Sequence, residues 1–527
     1  MTYKVTFIPK EQDIVIATVP SIELRPPIGP ARIKAYLNTV GIKCHNIDLN
    51  LDLWHRLQKD KEFFQSDEDR FWEGSEKWQL WQDKMMFDDF YEITLGNIVD
   101  EWTDLITEAN PRFFGLSVHF LRSQMTAKRL LESLKRKAPH IQTVLGGSAA
   151  EHFGLELGWD ILDWIVVGEG EHGVEMLVNG AVDLMPNGVY NKDTYNPKWQ
   201  LEAPRTPKVD ITKVPYPDYS DFNFESYPKD AYSLAEDTMG VASLFIEGTR
   251  SCVFDCKFCN VRGEFGVYRA RTGLAIATEM IHYYEKYGVT DFVFVDNILN
   301  GVLKNLTEMI DTLLDYYKKH NVKFAWTAYF AIRAKSQMPE EMWDKLRASG
   351  LHHIKLGIES GSTATLKEMD KKYTKEDLLY CMEQCYRVGI TTRSMYFVGY
   401  PTESEEEFQD TLDTIEKLKP YDEILKPLYI GVLMRVKPNT RAKDEYVAQG
   451  YLKKDKRFPN NYPYRMYWIY DDGKVYNDIE VRVRRHKQLA QKCKDLGFKY
   501  FDDPMQYELP KLEKEIEKFI TSNREAS

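Results

Sequence analysis

The chain has 527 residues, 43% apolar and 29% charged, which is enough to bury more than one large core and excludes disordered and collagen-like classes. Seventy lysines and arginines against 81 aspartates and glutamates leave a formal charge of −11, so no nucleic-acid partner is expected. No apolar run reaches the roughly 18 residues that cross a bilayer, the opening MTYKVTFIPKEQD lacks a signal-peptide core, and seven cysteines are too few for a disulfide scaffold; the expectation is a cytoplasmic protein, away from membranes, with reduced thiols available for metal.

In chain order, residues 1–180 alternate strand and helix patterns. Tyr3–Pro9 is the first expected strand, followed by a helix over Pro27–Val40 that Gly41 closes. Ile42–Leu49, Arg112–His119, Ile141–Leu145 and Trp164–Val167 are further strands, and Ser123–Arg136 is a helix. The pattern predicts an α/β, doubly wound parallel sheet, in which ligands sit beyond the carboxyl ends of the strands. Residues 54–110 are a long insertion of helical periodicity, read as a lid or packing element.

Residues 181–240, rich in Pro, Asp and Tyr, read as a connector. From 241 to 438 the alternation resumes, with strands over Ser243–Glu247, Phe292–Val295, Phe324–Tyr329, His353–Ile358, Arg393–Val398 and Pro427–Met434. Helical patterns lie between them, including Leu274–Tyr287, Leu303–Lys319, Pro339–Ala348 and Lys375–Val388. Six repeats suit a partial (β/α)6 barrel with its site at the strand carboxyl ends. Residues 439–527 form a small mixed C-terminal domain, a candidate for substrate selection or capping. Its aromatic run Tyr462–Tyr476 reads as ordinary packing and its basic stretch at 481–492 as a solvated helix face.

The cysteines are unevenly placed. Cys252, Cys256 and Cys259 fall within eight residues directly after a strand, while Cys44, Cys381, Cys385 and Cys493 are scattered. Structural zinc usually takes four ligands, and no fourth Cys or His lies nearby. Three thiolates on a [4Fe–4S] cube leave one iron without a protein ligand, free for a chelating small molecule. Cys381 and Cys385 sit four apart on a helical pattern and read as buried apolar thiols.

The run GTRSCVFDCKFCNVRGEFG, with Phe258 just before the third cysteine, resembles the cluster loop of the radical S-adenosylmethionine superfamily, and so do GIESGSTATLKEMDKKYT and FVGYPTESEEEF. The resemblance implies that Cys252, Cys256 and Cys259 hold a [4Fe–4S] cluster, and that S-adenosyl-L-methionine chelates the open iron and is cleaved to a 5′-deoxyadenosyl radical. It further implies that Asp296 or Glu359 meets the methionine amino group, Glu359 alternatively the ribose, that Arg333 pairs with the methionine carboxylate, and that Tyr396 stands at the end of the fifth strand among the cofactor-binding residues. An external one-electron reductant, flavodoxin- or ferredoxin-like, would supply the electron.

The amino-terminal third resembles the cobalamin-binding domain that precedes many such enzymes. The features are Pro26-Pro27-Ile28-Gly29 opening a helix, the strand ending NIDLN, GLSVH, LGGSA and DWIVVGEGEHG. The implied corrin contacts are Ser117, Val118, His119, Gly146, Gly147, Ser148, Gly168 and Glu169, although Glu169 is equally placed to cap the next helix. The Asp-x-His-x-x-Gly motif that supplies a lower cobalt ligand in many cobalamin proteins is missing, so no His of that motif ligates the metal. The joint resemblance implies methylation of an unactivated carbon of a small-molecule or peptide substrate. The alternative is a radical cyclase, epimerase or other rearrangement enzyme whose amino-terminal domain transfers no methyl group or has lost cobalamin.

Overall fold

The computed structural model describes residues 3–20, 24–57, 81, 83–118, 123–181, 187–199, 202–228, 243–437, 439–457, 467–501 and 514. The chain divides into two compact units, residues 1–246 with 279–291 and residues 247–278 with 292–527.

In the first unit, strands β1 (Ile14–Thr18), β2 (Cys44–Asp48), β3 (Phe113–Ser117), β4 (Gln142–Gly146), β5 (Trp164–Val166) and β6 (Val189–Tyr190) lie in the order β2-β1-β3-β4-β5-β6. The first five are parallel, and β6 runs antiparallel on β5. The expected opening strand is misplaced. Tyr3–Pro9 forms no strand, with Val5 N–H donating to Asp52 Oδ1 at 2.7 Å, and the strand is Ile14–Thr18. Every residue of this IVIAT run is buried, as befits a central parallel strand covered on both faces. Phe7, by contrast, is 68% exposed, so the alternation of YKVTFIP buries too little to hold a strand.

The helix Ile28–Thr39 ends where expected, with Gly41 at φ +76° just beyond it. The insertion is helical over Leu49–Leu57, Lys84–Phe90 and Gly96–Ala109, and its segment 58–80 lies outside the described residues. The core joins Ile14, Ile16, Leu37, Ile42, Phe113, Val144 and Val174, and it includes Cys44, whose thiol burial pushes far up.

After β7 (Leu244–Ile246), the second unit opens with an antiparallel pair, β8 (Thr249–Arg250) and β9 (Arg269–Ala270). Strands β10 (Asp291–Phe294), β11 (Ala325–Phe330), β12 (Leu351–Glu359), β13 (Thr391–Val398) and β14 (Leu425–Leu433) alternate with helices over Gly273–Tyr287, Leu303–His320, Glu340–Ala348, Lys375–Val388 and Glu405–Lys417. An antiparallel trio, β15 (Leu452–Lys454), β16 (Trp468–Asp471) and β17 (Tyr476–Asn477), follows, and then β18 (Tyr500–Phe501), which the sequence reading lacks and which pairs parallel with β14. The sheet runs β18-β14-β13-β12-β11-β10, parallel at each described pairing. Burial alternates along β13: Thr392, Ser394, Tyr396 and Val398 are buried, whereas Thr391, Arg393, Met395 and Phe397 are half-buried. On β12, Leu356 and Ile358 are buried and Lys355, Gly357 and Glu359 are half-buried. The half-buried set is the open face of the sheet.

The basic stretch at 481–492 corrects an expectation. It lies on the helix Ile479–Asp495, but Arg482, Arg485 and His486 are fully buried rather than solvated. Arg482 stacks 3.8 Å above the Trp468 ring and donates to the carbonyls of Met434, Trp468 and Asp478, while Arg485 pairs with buried Glu403 at 3.1 Å. Partner groups placed by tertiary packing make these burials tolerable, and no local pattern announces them. Trp468 and Tyr470 belong to a core with Met434 and Tyr446, whereas Tyr476 is exposed and Tyr462 lies outside the described residues. Cys381 and Cys385 are buried on one helix face.

Candidate active site

The three thiols lie on the loop between β8 and the short helix Val261–Phe265. Ser251, buried at φ +73°, turns the chain into this loop and donates its hydroxyl to Gly266 O at 2.6 Å. Cys259 N–H closes a turn on Cys256 O at 3.0 Å, and Phe254 N–H points at Cys252 Sγ at 3.4 Å. Lys257 N–H donates to Met369 O and Lys257 O accepts from Ala442 N–H, so the loop is clipped on both sides. Burial pushes the Cys256 thiol up to about 11 and raises Cys252 and Cys259 as well, with repulsion from neighbouring sulfurs adding to it at Cys252 and Cys256 and from Glu359 at Cys259. Three half-buried thiols with raised pKa values ionise readily only against strong positive charge, and iron supplies it; the donor set fits an iron–sulfur cluster.

Glu359 ends β12 at a register shift and holds φ +69°, a backbone conformation that side chains larger than glycine adopt at a cost. Its Oε1 accepts from Lys371 Nζ at 3.0 Å, and the same ammonium donates to Gly357 O at 2.8 Å. Lys371 Nζ lies 5.6 Å from the Phe258 ring centroid, and Phe258 meets Phe397 edge-on at 5.2 Å. Burial opposes the Lys371 charge, but Glu359, Cys256 and Cys259 outweigh it and its pKa is raised. Glu359, Phe258 and the thiols are thus brought together by a lysine that the sequence reading missed. Its signal was available, because it stands at the end of the ESGSTATLKEMDK block.

Asp296 is fully buried. Its Oδ2 accepts from Gly248 N–H at 3.0 Å, and burial, opposed by hydrogen bonds from Thr249 and Gly248, pushes it up to about 7. Arg333 donates to the carbonyls of Asn300 and Gly301 at 2.9 Å each, stacks its guanidinium 4.9 Å from the Phe254 ring and keeps Nε buried without a partner. Burial pulls its pKa down, and Tyr268 and Cys252 pull it back. Part of the fork assigned to a carboxylate is therefore already committed to the backbone. Tyr396 does not join the site. It belongs to the buried face of β13 with Cys493 as its charge neighbour, and Phe397, one residue on, occupies the face that meets Phe258. A slip of one residue along a strand reverses the face.

In the first unit the strand order reverses between β1 and β3, and at such a switch point adjacent loops diverge and leave a crevice. Thr18 and Ser117 end these strands opposite each other. Asp48 ends β2 beside them, accepting from Thr18 Oγ1, Leu51 N–H and Tyr227 OH, and burial pushes it up to about 6. Val118 N–H donates to Gly146 O, and Gly147, at φ +101°, passes so close that a Cβ would lie 2.2 Å from Val118 O. A Cβ on Gly146 would meet nothing within 4 Å, and Ser148 is exposed. Ser117, Val118, Gly146, Gly147 and Ser148 are therefore gathered where β3 and β4 end, with open space at Gly146, a place that fits the edge of a flat ligand. His119 lies outside the described residues.

Gly168 and Glu169 behave differently. A Cβ on Gly168 would meet Thr206 Oγ1 at 2.6 Å, and Glu169 makes no cap but accepts from Val209 N–H at 3.0 Å. Both hold the connector against β5.

Residues 246–415 match the model of the Radical SAM superfamily. That superfamily implies a [4Fe–4S] cluster and S-adenosylmethionine. The cytidylyl-2-hydroxyethylphosphonate methyltransferase of Streptomyces wedmorensis is 24% identical over 350 residues, 60% of this chain and 64% of that protein. Curated relatives of this kind are matched over about half to two thirds of their own length. The fold is that of the cobalamin-dependent S-adenosylmethionine radical enzyme OxsB, solved with aqua-cobalamin and S-adenosylmethionine bound (TM-score 0.58, 16% identity, 92% of this chain and 66% of that one). It is equally that of the radical S-adenosylmethionine methyltransferase TsrM of Kitasatospora setae, solved with cobalamin and a [4Fe–4S] cluster (TM-score 0.55, 15% identity, 91% of each chain). Among the described residues no helix is long and apolar enough to cross a membrane.

Proposed function

We infer that this protein is a cobalamin-dependent radical S-adenosylmethionine methyltransferase acting on an unactivated carbon of a small-molecule or peptide substrate, with its electron drawn from a flavodoxin- or ferredoxin-like donor. The observation that carries the reading is the trio of half-buried thiols on one clipped loop with a carboxylate–lysine pair beside it. When bound, the cluster and S-adenosylmethionine supply a 5′-deoxyadenosyl radical, and cobalamin a methyl carrier. Cys252, Cys256 and Cys259 hold the cluster and leave one position for S-adenosylmethionine. Glu359, fixed by Lys371, offers a carboxylate to its amino group, with Asp296 a further acidic group at a strand end. Phe258 and Phe397 form an apolar wall that keeps water from a reactive radical. In the first unit, Ser117, Val118, Gly146, Gly147 and Ser148 would receive the corrin edge.

Anaerobic reconstitution with iron, sulfide and hydroxocobalamin tests this. We expect iron–sulfur charge-transfer absorption, corrin bands at one per chain, and 5′-deoxyadenosine on reduction with S-adenosylmethionine. A protein that forms the cluster and cleaves S-adenosylmethionine but retains no corrin would reject the methyltransferase reading in favour of the rearrangement enzymes.

A further inference from the structure

The thiol loop carries two charged residues that are not cluster ligands, Asp255 and Lys257, and both are gripped by one short helix far along the chain. Helix Arg441–Ala448 is seated by Ala442 and Tyr446, four residues apart, in a core with Met369 and Trp468. The N–H groups of its first turn have no carbonyl partner within the helix, and that of Ala442 donates to Lys257 O at 2.9 Å. From the same turn, Arg441 donates through one guanidinium nitrogen to the Asp255 carbonyl and to Asp370 Oδ2, and its Nε lies 3.2 Å from Asp255 Oδ2. One helical turn on, Glu445 meets Lys257 Nζ at 3.0 Å. The same ammonium meets Glu368 Oε1 at 2.9 Å, and that oxygen also accepts from Tyr446 OH at 2.7 Å. The far end of the Arg441 tie is unusual in its backbone. Asp370, just past the helix Thr363–Glu368, holds φ +61°, the left-handed position at a helix end that glycine ordinarily fills. An aspartate there costs backbone energy, and its carboxylate is engaged by Arg441 and Lys372. Lys371, the next residue, holds Glu359. The thiol loop and the support of Glu359 therefore share one tie.

Resting on the radical-enzyme reading above, we propose that Arg441 is a positioning residue for the cluster, tying the loop between Cys252 and Cys259 to the turn that carries Lys371. It acts on the reacting groups only through Asp255 and Asp370. The effect is local. The side chains of Arg441, Asp255 and Asp370 are 40%, 45% and 30% exposed, and ion pairs of that exposure contribute little to global stability. What they restrict is the opening of a loop that no helix or strand holds between residues 251 and 260. The helix Arg441–Ala448 thereby gives the C-terminal region a part in keeping the three thiols at the spacing a cluster needs.

The test is alkylation of the full-length apoprotein with iodoacetamide, followed by mass spectrometry at each cysteine, because thiol reactivity reads access to the loop without requiring a cluster. Arg441→Met should speed alkylation of Cys252, Cys256 and Cys259 about fivefold and leave Cys381, buried elsewhere in the unit, unchanged. Arg441→Lys should restore part of the protection. Asp370→Gly relieves the backbone while removing the carboxylate, so it should keep the wild-type urea midpoint and still expose the three thiols. In the reconstituted holoenzyme, Arg441→Met and Asp370→Gly should lose iron–sulfur absorption to a chelator about fivefold faster than wild type. Wild-type alkylation rates at the three thiols in Arg441→Met, or a parallel rise at Cys381 in both variants, would overturn the proposal. A wild-type protein that assembles no cluster would instead sink the parent reading, and the alkylation rates would still decide whether Arg441 ties the loop.

Discussion

Lys371→Met isolates the support of the site, because it keeps most of the side-chain stem and removes only the ammonium, which lies 5.6 Å from the Phe258 ring centroid and 5.9 Å from that of Tyr373. The pair it breaks is 3.0 Å long, with side chains 14% and 16% exposed. At an effective dielectric of about 20, Coulomb attraction at that distance is ~5.5 kcal/mol before desolvation is set against it. Hydrogen bonds to charged groups net about 1.5–3 kcal/mol. We therefore expect a loss of about 2 kcal/mol in the unfolding free energy of the apoprotein, read by urea titration, and S-adenosylmethionine binding to the reconstituted protein weakened about tenfold. The Lys371 pKa is raised, so its contribution is complete below the ordinary lysine value of 10.5 and is lost as pH climbs past the folded value. The deficit of the variant should accordingly be level between about pH 6 and 8 and shrink only in strong alkali. A variant as stable as wild type, with unchanged affinity for S-adenosylmethionine, would refute the claim that Lys371 positions Glu359.

Other outcomes follow from the same geometry. Replacing Cys252, Cys256 or Cys259 by Ala should each remove most cluster iron and all reductive cleavage, whereas Cys381→Ser should retain both, measured by iron content and 5′-deoxyadenosine. Gly147→Ala places a Cβ 2.2 Å from Val118 O at φ +101° and should destabilise the first unit by ~2–3 kcal/mol and impair corrin retention, while Gly146→Ala, which meets open space, should fold normally. Asp296 is raised from 3.8 to about 7, so its contribution to stability is complete below the first value and lost as pH rises through the second. Asp296→Asn should therefore gain on wild type in apoprotein stability across that interval, and a difference that does not move with pH would contradict the assignment. Arg482→Met leaves the Met434, Trp468 and Asp478 carbonyls short of a donor and should cost ~3 kcal/mol or more in thermal or urea unfolding.

Much of this arrangement was legible in the sequence, for identifiable reasons. The thiol loop is local, so spacing alone carries it. The barrel strands are long and regularly separated, and the helix Lys375–Val388 coincides with its periodicity. What failed depended on distant partners. Ile14–Thr18 is a short apolar run, ambiguous until a sheet forms on both of its edges, whereas the alternation of Tyr3–Pro9 suggests a strand but buries little. The sequence points to Tyr396, whereas Phe397 is the residue that meets Phe258, because strand ends are located only to within a residue or two and one residue decides the face. Lys371 acts through a chain reversal, and the burial of Arg482 and Arg485 rests on carbonyls and a carboxylate far away in sequence. Glu169 reads as a corrin contact or a helix cap, but it makes no cap and accepts instead from Val209 N–H of the connector, a partner 40 residues on.

The most direct test of the central claim is Mössbauer spectroscopy of the anaerobic, iron-57-reconstituted protein with and without S-adenosylmethionine. Three thiolate ligands leave one iron of the cube distinct, and we expect the parameters of that single site to shift when S-adenosylmethionine is added. A cluster whose irons all keep the same spectrum on addition, or a protein that assembles no cluster with all three cysteines intact, would contradict the account.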